Sequence, residues 1–192
     1  RNAKDNISFH EVLDVLNVVG YYEKMGFALP QNNNKILDDF TNEKFIKRND
    51  SGSYDITNLG ALLISKDLKN FESLAHKSIR VIWYKENNRL DTIREKVFSE
   101  GYAISYEEIV DYVLTVIPQE EIIEDSIRKT KLGYPEIAIR ELIANIMIHQ
   151  AIEQKGTSPM VELFKDRIEF SNAGSPLVSI DRIVNTVPIS RN

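Results

Sequence analysis

The sequence predicts an α+β protein in two parts, a winged-helix-like helical module over residues 1–75 and a partial α/β sandwich over residues 76–192. Two observations lead to this prediction. Before residue 66, helical patterns, a short hairpin and a further helix follow one another, which is the outline of a winged-helix module. After residue 75, strands and helices alternate before a final strand pair, an order that suits a mixed sheet with helices on one face.

The composition is that of an ordinary globular chain and excludes several classes of protein. The net charge of -5 argues against a general nucleic-acid coat, although it leaves room for a local basic face. No apolar run approaches the roughly 18 residues that a membrane span needs. The chain has no cysteine, which excludes disulfides and cysteine-ligated zinc and fits a cytoplasmic location. Because it starts with Arg1 and stops at Asn192, just after a proline-containing segment, we expect it to be a fragment.

The first part contains three predicted helices and one hairpin. Residues 1–7 are polar, so we expect them to be frayed. Each predicted helix has apolar residues at helical spacing and a polar residue that can cap its first turn. The helices are 9–19 after Ser8, 35–40 after Asn32 to Asn34, and 58–65 after Thr57.

The hairpin in the first part has its turn at Asn49-Asp50-Ser51-Gly52 and carries the basic residues Lys44, Lys47 and Arg48. One interpretation is a wing that contacts a nucleic-acid phosphate backbone. The alternative is a packing module with a solvated charged turn. We favour the alternative, because the helices before the hairpin are not basic.

A charged stretch over residues 66–73 leads into the second part, where SIRVIWY over residues 78–84 is the clearest predicted strand. Residues 90–97 fit either a strand or a helix. The remaining predicted elements, read from periodicity and turn residues, are a helix over 106–117, a strand over 121–129, a hairpin formed by 159–164 and 167–170, and a short helix over 179–184.

The central element of the second part is a helix over residues 134–150, YPEIAIRELIANIMIHQ. Pro135 suits the start of a helix, and no further glycine or proline follows until Gly156. Apolar residues fall on nearly every side, which is typical of a buried helix. Glu141, Asn145 and His149 form one polar stripe at i, i+4, i+8. Buried polar groups need partners, so the stripe is either a polar seam satisfied by the fold or a ligand site.

The common local motifs of nucleotide and hydrolase chemistry are absent from the sequence. It contains no G-x-x-x-x-G-K-[ST], no G-x-G-x-x-G, no G-x-S-x-G and no H-E-x-x-H. The three histidines, His10, His76 and His149, lack metal-ligand spacing. What remains is Glu141-x-x-x-Asn145 on a helix, followed by two strands and by Asn172-x-Gly174.

With these residues in view, the chain from about Tyr54 to its end resembles a bacterial family of transcriptional regulators and "RecG-related" ATP-binding proteins. Members typically carry a Schlafen/Alba-like DNA-binding domain in front of a divergent ATPase module. That module belongs to the GHKL superfamily of gyrase, heat-shock chaperones, histidine kinases and MutL. The segments that carry the resemblance are YDITNLGALL, IRVIWYKENNRLDTIRE, YPEIAIRELIANIMIHQ and GTSPMVELFKDRIEFSNAG.

The resemblance implies ATP and Mg²⁺ as cofactors and a role for each polar residue of the site. Asn145 would hold the nucleotide's Mg²⁺ through its amide oxygen. Glu141 would be the catalytic general base in members that hydrolyse ATP. His149 would approach the phosphates, Asn172 would receive the adenine amino group, and Gly174 would let the backbone come close to the base.

The sequence departs from the superfamily pattern at two points. The adenine loop reads Asn-Ala-Gly-Ser-Pro, so Asn172 stands where the superfamily has an aspartate, and a charge-assisted hydrogen bond is lost. No glycine follows Gly174, so the glycine-rich lid over the phosphates either lies beyond Asn192 or does not exist. We therefore expect residues 76–192 to be a GHKL-type domain without its lid, with weak or undetectable ATP binding and no useful hydrolysis.

Three hypotheses for function follow, and they overlap. The chain is a nucleotide-binding module of a regulator that couples ATP binding to DNA binding or dimerisation. Alternatively, the ATPase-like fold is a degenerate scaffold that acts only in DNA binding or dimerisation. The third hypothesis is a homodimerisation domain with no ligand. A membrane partner is not expected under any of them.

Overall fold

The computed structural model describes residues 1–117, 119–124, 127–154 and 156–174, with the backbone alone for the strands between residues 119 and 132. Within this part of the chain the protein is α+β, as predicted. The strands are β1 (Asn2–Ile7), β2 (Ile46–Arg48), β3 (Tyr54–Thr57), β4 (Ile79–Tyr84), β5 (Thr92–Phe98), β6 (Gln119–Glu124), β7 (Ile127–Leu132), β8 (Met160–Leu163) and β9 (Ile168–Ser171). The α-helices are α1 (Phe9–Val15), α2 (Val18–Met25), α3 (Asn33–Asn42), α4 (Asn58–Ile64), α5 (Tyr102–Val116) and α6 (Glu136–Ile148).

The first part has a three-stranded antiparallel sheet in the order β1-β3-β2, with α1, α2 and α3 inserted between β1 and β2. Strands β2 and β3 form the predicted hairpin, and the winged-helix character of this part stays a prediction. Residues 1–7 are not frayed, contrary to the prediction. Asn2 pairs with Thr57 and Ile7 with Tyr54 across the sheet. The local polarity of the segment gave no sign of a strand partner about fifty residues away.

The helix predicted over residues 9–19 is two helices with a break at Leu16 and Asn17. Leu16 is extended and forms an isolated β-bridge with Ser65. The Asn17 backbone N–H donates to the Ile64 carbonyl at 2.7 Å, and the Asn17 side chain caps α2 by accepting from the Gly20 N–H. Because these partners belong to α4 and the residue after it, the break is a tertiary effect that helical periodicity does not reveal.

The second part has a four-stranded mixed sheet in the order β5-β4-β8-β9, in which only the β4–β8 pair is parallel. Helices α5 and α6 contact each other and pack their apolar side chains on one face of this sheet. Residues 90–97, left open between helix and strand, lie mostly in β5. The single strand predicted over 121–129 is wrong, since β6 and β7 form an antiparallel pair there. The helix predicted over 179–184 lies outside the described residues.

One continuous hydrophobic core runs through both parts of the chain. It includes Val12 and Phe40 of the first part and Ile109, Ile143 and Leu163 of the second. The two parts of the chain pack closely at the start of α5. A Cβ on Gly101 would lie 2.5 Å from the carbonyl oxygen of Leu63, so only glycine fits there. The division into residues 1–75 and 76–192 stays a prediction, and it falls at a 3-10 turn over Ala75–Lys77.

The other face of the four-stranded sheet carries a smaller cluster around a buried carboxylate. Tyr84 and Phe164 stack with their ring centroids 4.9 Å apart. Glu162, which is 3% exposed, accepts two hydrogen bonds from Arg89 and one from the Tyr84 hydroxyl. The Arg89 guanidinium holds the pKa of Glu162 below its usual range despite burial. Arg89 thereby ties the loop between β4 and β5 onto the sheet.

Among the described residues, no helix combines the length and the apolar character needed to cross a bilayer.

Candidate functional site

Helix α6 was predicted to be a mostly buried helix, and the structure corrects this. Its inward side, with Ile139, Ile143, Ile146 and Met147, is buried against the core. Its outward side leaves Ile137 78% exposed and Ile148 65% exposed. The sequence has apolar residues on both sides, so periodicity could not say which side meets the sheet.

The predicted polar stripe lies on the outward side of α6, so it is not a polar seam inside the core. Glu141 is exposed, whereas Asn145 and His149 are half-buried. The Asn145 side-chain N–H donates to Glu141 Oε1 over 3.4 Å, a long hydrogen bond. This orientation turns the amide oxygen of Asn145 away from Glu141. His149 is the C-cap residue of α6, and its backbone N–H donates to the Asn145 carbonyl.

The loop after β9 lies beside the C-terminal end of α6, so the structure brings together the two sequence-predicted halves of the site. The Ala151 N–H donates to the Ala173 carbonyl at 2.6 Å. A Cβ placed on Gly174 would lie 3.6 Å from the His149 carbonyl oxygen. Gly174 has φ +152°, a conformation that favours glycine, so the backbone by itself accounts for this residue. Asn172 is half-buried at the start of the loop, and Ser175 lies outside the described residues.

A buried network that sequence reasoning missed holds the segment after α6 in place. Lys77 is fully buried, and its Nζ donates to the carbonyls of Ala151 and Gln154 at 2.9 and 3.0 Å. The Tyr102 hydroxyl donates to the Lys77 carbonyl and accepts from the Gln150 side-chain amide. Burial lowers the pKa of Lys77 and raises that of Tyr102. No local signal marks Lys77, because lysine is normally an exposed residue.

The donor set at the outward stripe fits a nucleotide-bound Mg²⁺ better than an independent metal site. Among the described residues, no group of three or more His, Cys, Asp or Glu side chains could hold a metal ion. Asn145 offers one hard oxygen ligand through its amide. Mg²⁺ keeps several waters and is commonly held by one or two protein groups together with substrate phosphates. The Asn145 oxygen is therefore sufficient only if a nucleotide supplies other ligands.

The predicted nucleic-acid residues Lys44, Lys47 and Arg48 are all exposed on or beside the β2–β3 hairpin. Lys47 lies opposite Asp55 in the hairpin, which partly offsets its charge. Helix α3, which precedes the hairpin, and its C-cap carry Asp38, Asp39 and Glu43, and a phosphate backbone would repel these carboxylates. Contact between the hairpin and nucleic acid stays a prediction.

An apolar cavity lies between α4, α5 and α6, beside the exposed Ile148. It has a volume of about 480 Å³ and its lining includes Leu59, Leu63, Tyr106, Ala144 and Ile148. No charged side chain lines it, so it offers nothing to a triphosphate or a metal ion.

No protein-family model matches the chain, and no curated protein matches it. Among solved structures, it is similar to the DIP2311 protein from Corynebacterium diphtheriae, with 18% sequence identity and a TM-score of 0.49. The match covers 67% of this chain and 25% of the DIP2311 chain, so the chain corresponds to about a quarter of that protein's length.

Proposed function

We propose that the chain is the nucleotide-binding module of a regulator of the GHKL-containing bacterial family it resembles, and that it couples binding of Mg-ATP to DNA binding or dimerisation. The observation that carries this proposal is the position of the outward pair Glu141 and Asn145. They lie on solvent-accessible turns of the helix whose C-terminal end contacts the loop Asn172–Gly174.

Each residue of the site has a role in this proposal. The bound Mg²⁺ would neutralise charge on the phosphates and orient them. Asn145 would hold that ion through the amide oxygen that points away from Glu141. Glu141 is the candidate general base for a water molecule, and its exposure leaves it free to meet one. His149 would approach the phosphates, and Asn172 and Gly174 would contact the adenine.

We expect this chain to bind ATP weakly, for two reasons. Asn172 would accept a hydrogen bond from the adenine amino group without the charge of an aspartate, and residues 1–192 include no glycine-rich lid. We place this activity in the cytoplasm, where ATP is present and where a chain without cysteine is at no disadvantage.

The test is a calorimetric or NMR titration of the chain with Mg-ATP up to several millimolar. We expect weak saturable binding that disappears in Asn145→Ala. The matched control is Asn87→Ala, which removes the same side chain from an exposed loop and should bind like the wild type. Binding that survives Asn145→Ala would place the nucleotide elsewhere and refute the proposal. Micromolar affinity would contradict the expectation that the chain binds ATP weakly without a glycine-rich lid.

A second candidate function is a degenerate ATPase-like scaffold that acts in DNA binding or dimerisation. The exposed basic residues Lys44, Lys47 and Arg48 of the hairpin favour it. A gel shift of the chain with duplex DNA at two salt concentrations tests this function, because phosphate contacts weaken steeply with salt. The absence of a shift at low salt would leave the hairpin as a packing element.

A further inference from the structure

A cavity of about 320 Å³ opens between α2, the segment that follows it and α3. Its lining includes the aromatic residues Tyr21 and Tyr22 of α2 and Phe27 after it. Asp39 and Glu43, in the last turn of α3 and at its C-cap, also line it, together with Lys35. The lining therefore combines aromatic residues with carboxylates, and it shares no residue with the outward side of α6.

The two carboxylates that line this cavity differ in their hydrogen-bond and ion-pair partners. Asp39 accepts hydrogen bonds from Lys35 and from the Tyr22 hydroxyl, and these bonds lower the pKa of Asp39, so it is ionised at neutral pH. Glu43 makes no side-chain hydrogen bond or ion pair with the residues that the structure describes. Two acidic side chains, Asp39 and Glu43, and one basic side chain, Lys35, line the cavity, so its lining has an excess of acidic groups.

The end of α3 increases the preference for a cation at this place. The C-terminal end of a helix carries partial negative charge and is stabilised by nearby cations. The last turn of α3 contains no basic residue, and its C-cap residue is Glu43. The negative helix end and the Glu43 carboxylate thus reinforce each other. A cation from outside the chain would gain from both and also from the exposed ring of Phe27, which lines the cavity.

Beside the cavity, the chain exposes apolar side chains within five residues. Met25 is 49% exposed, Phe27 59% and Leu29 49%. Single exposed apolar residues are ordinary, but several of them next to a cavity are typical of a contact surface. A small free amine would leave Met25 and Leu29 uncovered. A peptide can place a cationic side chain in the cavity and an apolar neighbour on this surface.

We propose that this cavity binds the arginine or lysine side chain of a basic segment of a partner protein, with apolar residues of that segment packed on Met25, Phe27 and Leu29. A DNA duplex is the less suitable occupant, because its phosphates would meet Asp38, Asp39 and Glu43. The inference does not depend on nucleotide binding at α6, since the two surfaces share no residue.

The experiment is a two-dimensional NMR titration of the isotope-labelled chain with the capped peptide acetyl-Leu-Arg-Leu-amide. The control peptide carries citrulline in place of arginine, which keeps the shape and removes the charge. We expect the arginine peptide to shift the amide signals of Tyr21, Tyr22, Phe27 and Glu43 saturably. The citrulline peptide should bind about tenfold more weakly, because it loses both the ion pair and the cation–π contact.

Protein variants separate the cavity from general attraction to an acidic chain. Glu43→Gln should weaken binding of the arginine peptide about two- to fivefold, in line with an exposed ion pair. Glu72→Gln removes the same charge from an exposed residue outside the cavity and should leave the affinity unchanged. Equal binding of both peptides, an equal effect of both variants, or no shift at millimolar arginine peptide would overturn the proposal. A DNA duplex that shifts the same signals at moderate salt would also overturn it.

Discussion

Both sides of α6 carry isoleucine, and the two sides have opposite environments. Ile143 on the inward side is fully buried, whereas Ile137 on the outward side is 78% exposed. The inward side meets α5 and the four-stranded sheet, and the outward side carries the polar stripe of the candidate site. The comparison shows that isoleucine content does not decide burial in this helix. An outward apolar surface around Glu141 and Asn145 is available for a ligand or for a second protein surface.

The largest expected effect comes from the inward side. Ile143→Ala should lower the free energy of unfolding by about 2–5 kcal/mol, because it leaves a cavity in a packed core. Denaturant unfolding followed by circular dichroism measures the change. A loss below about 1 kcal/mol would mean that the core around α6 can collapse into the space, and the contrast between the two sides would be smaller than the structure implies.

A smaller effect is expected from the buried polar network at the end of the inward side. Lys77→Met leaves the Ala151 carbonyl without its donor and the Gln154 carbonyl with His76 Nε2 as its other partner, which should cost about 1–3 kcal/mol. The pKa of Lys77 is lowered in the folded state, so above that folded pKa the unfolded chain binds more protons at this residue. The contribution of Lys77 to stability therefore rises with pH until the unfolded pKa of roughly 10.4 is passed.

The measurement for Lys77 is denaturant unfolding at several pH values from neutral to alkaline. The stability difference between the wild type and Lys77→Met should widen as the pH rises. Lys69→Met, at an exposed residue, is the control and should show no such widening. A difference that stays constant with pH would contradict the assignment of a lowered pKa to Lys77.

On the outward side, Ile137→Ala makes the same chemical change as Ile143→Ala and should alter the free energy of unfolding by no more than about 0.5 kcal/mol. The same unfolding experiment at two protein concentrations tests whether this side is covered in solution. A large or concentration-dependent loss would show that a second copy buries Ile137, and it would favour the homodimer hypothesis.

The smallest effect on stability is expected for Asn145→Ala. Its described side-chain hydrogen bond is the long contact with exposed Glu141, so the free energy of unfolding should be unchanged within error. Thermal unfolding of the variant without nucleotide provides the measurement. This result is needed for the binding test, because a destabilised variant could lose nucleotide binding for an unrelated reason.

Much of the candidate site could be predicted from the sequence, and the missing part has a physical explanation. The spacing of Glu141, Asn145 and His149 placed them on one stripe, and the order helix, hairpin, loop placed Asn172 and Gly174 after them. The supporting residues Lys77, Tyr102 and Gln150 could not be found in this way. They lie far apart in the sequence and meet only because β4, α5 and α6 pack together.

The sequence by itself determined the elements whose signals are local. Pro135 and the uninterrupted run after it define α6, Thr57 caps α4, and the cluster Asn49 to Gly52 turns the hairpin. Such signals act within a few residues, where backbone preferences and capping hydrogen bonds are decided.

Only the tertiary structure decided the features that depend on distant partners. These are the pairing of residues 2–7 with β3, the break between α1 and α2, the buried side of α6, and the cavity that the acidic end of α3 lines together with Tyr21 and Tyr22. Whether a side chain is buried, or a strand is paired, is fixed by residues that are remote along the chain, and the local pattern carries no record of them. For α6, this is why the sequence pattern could not show which of its apolar residues are buried and which are exposed.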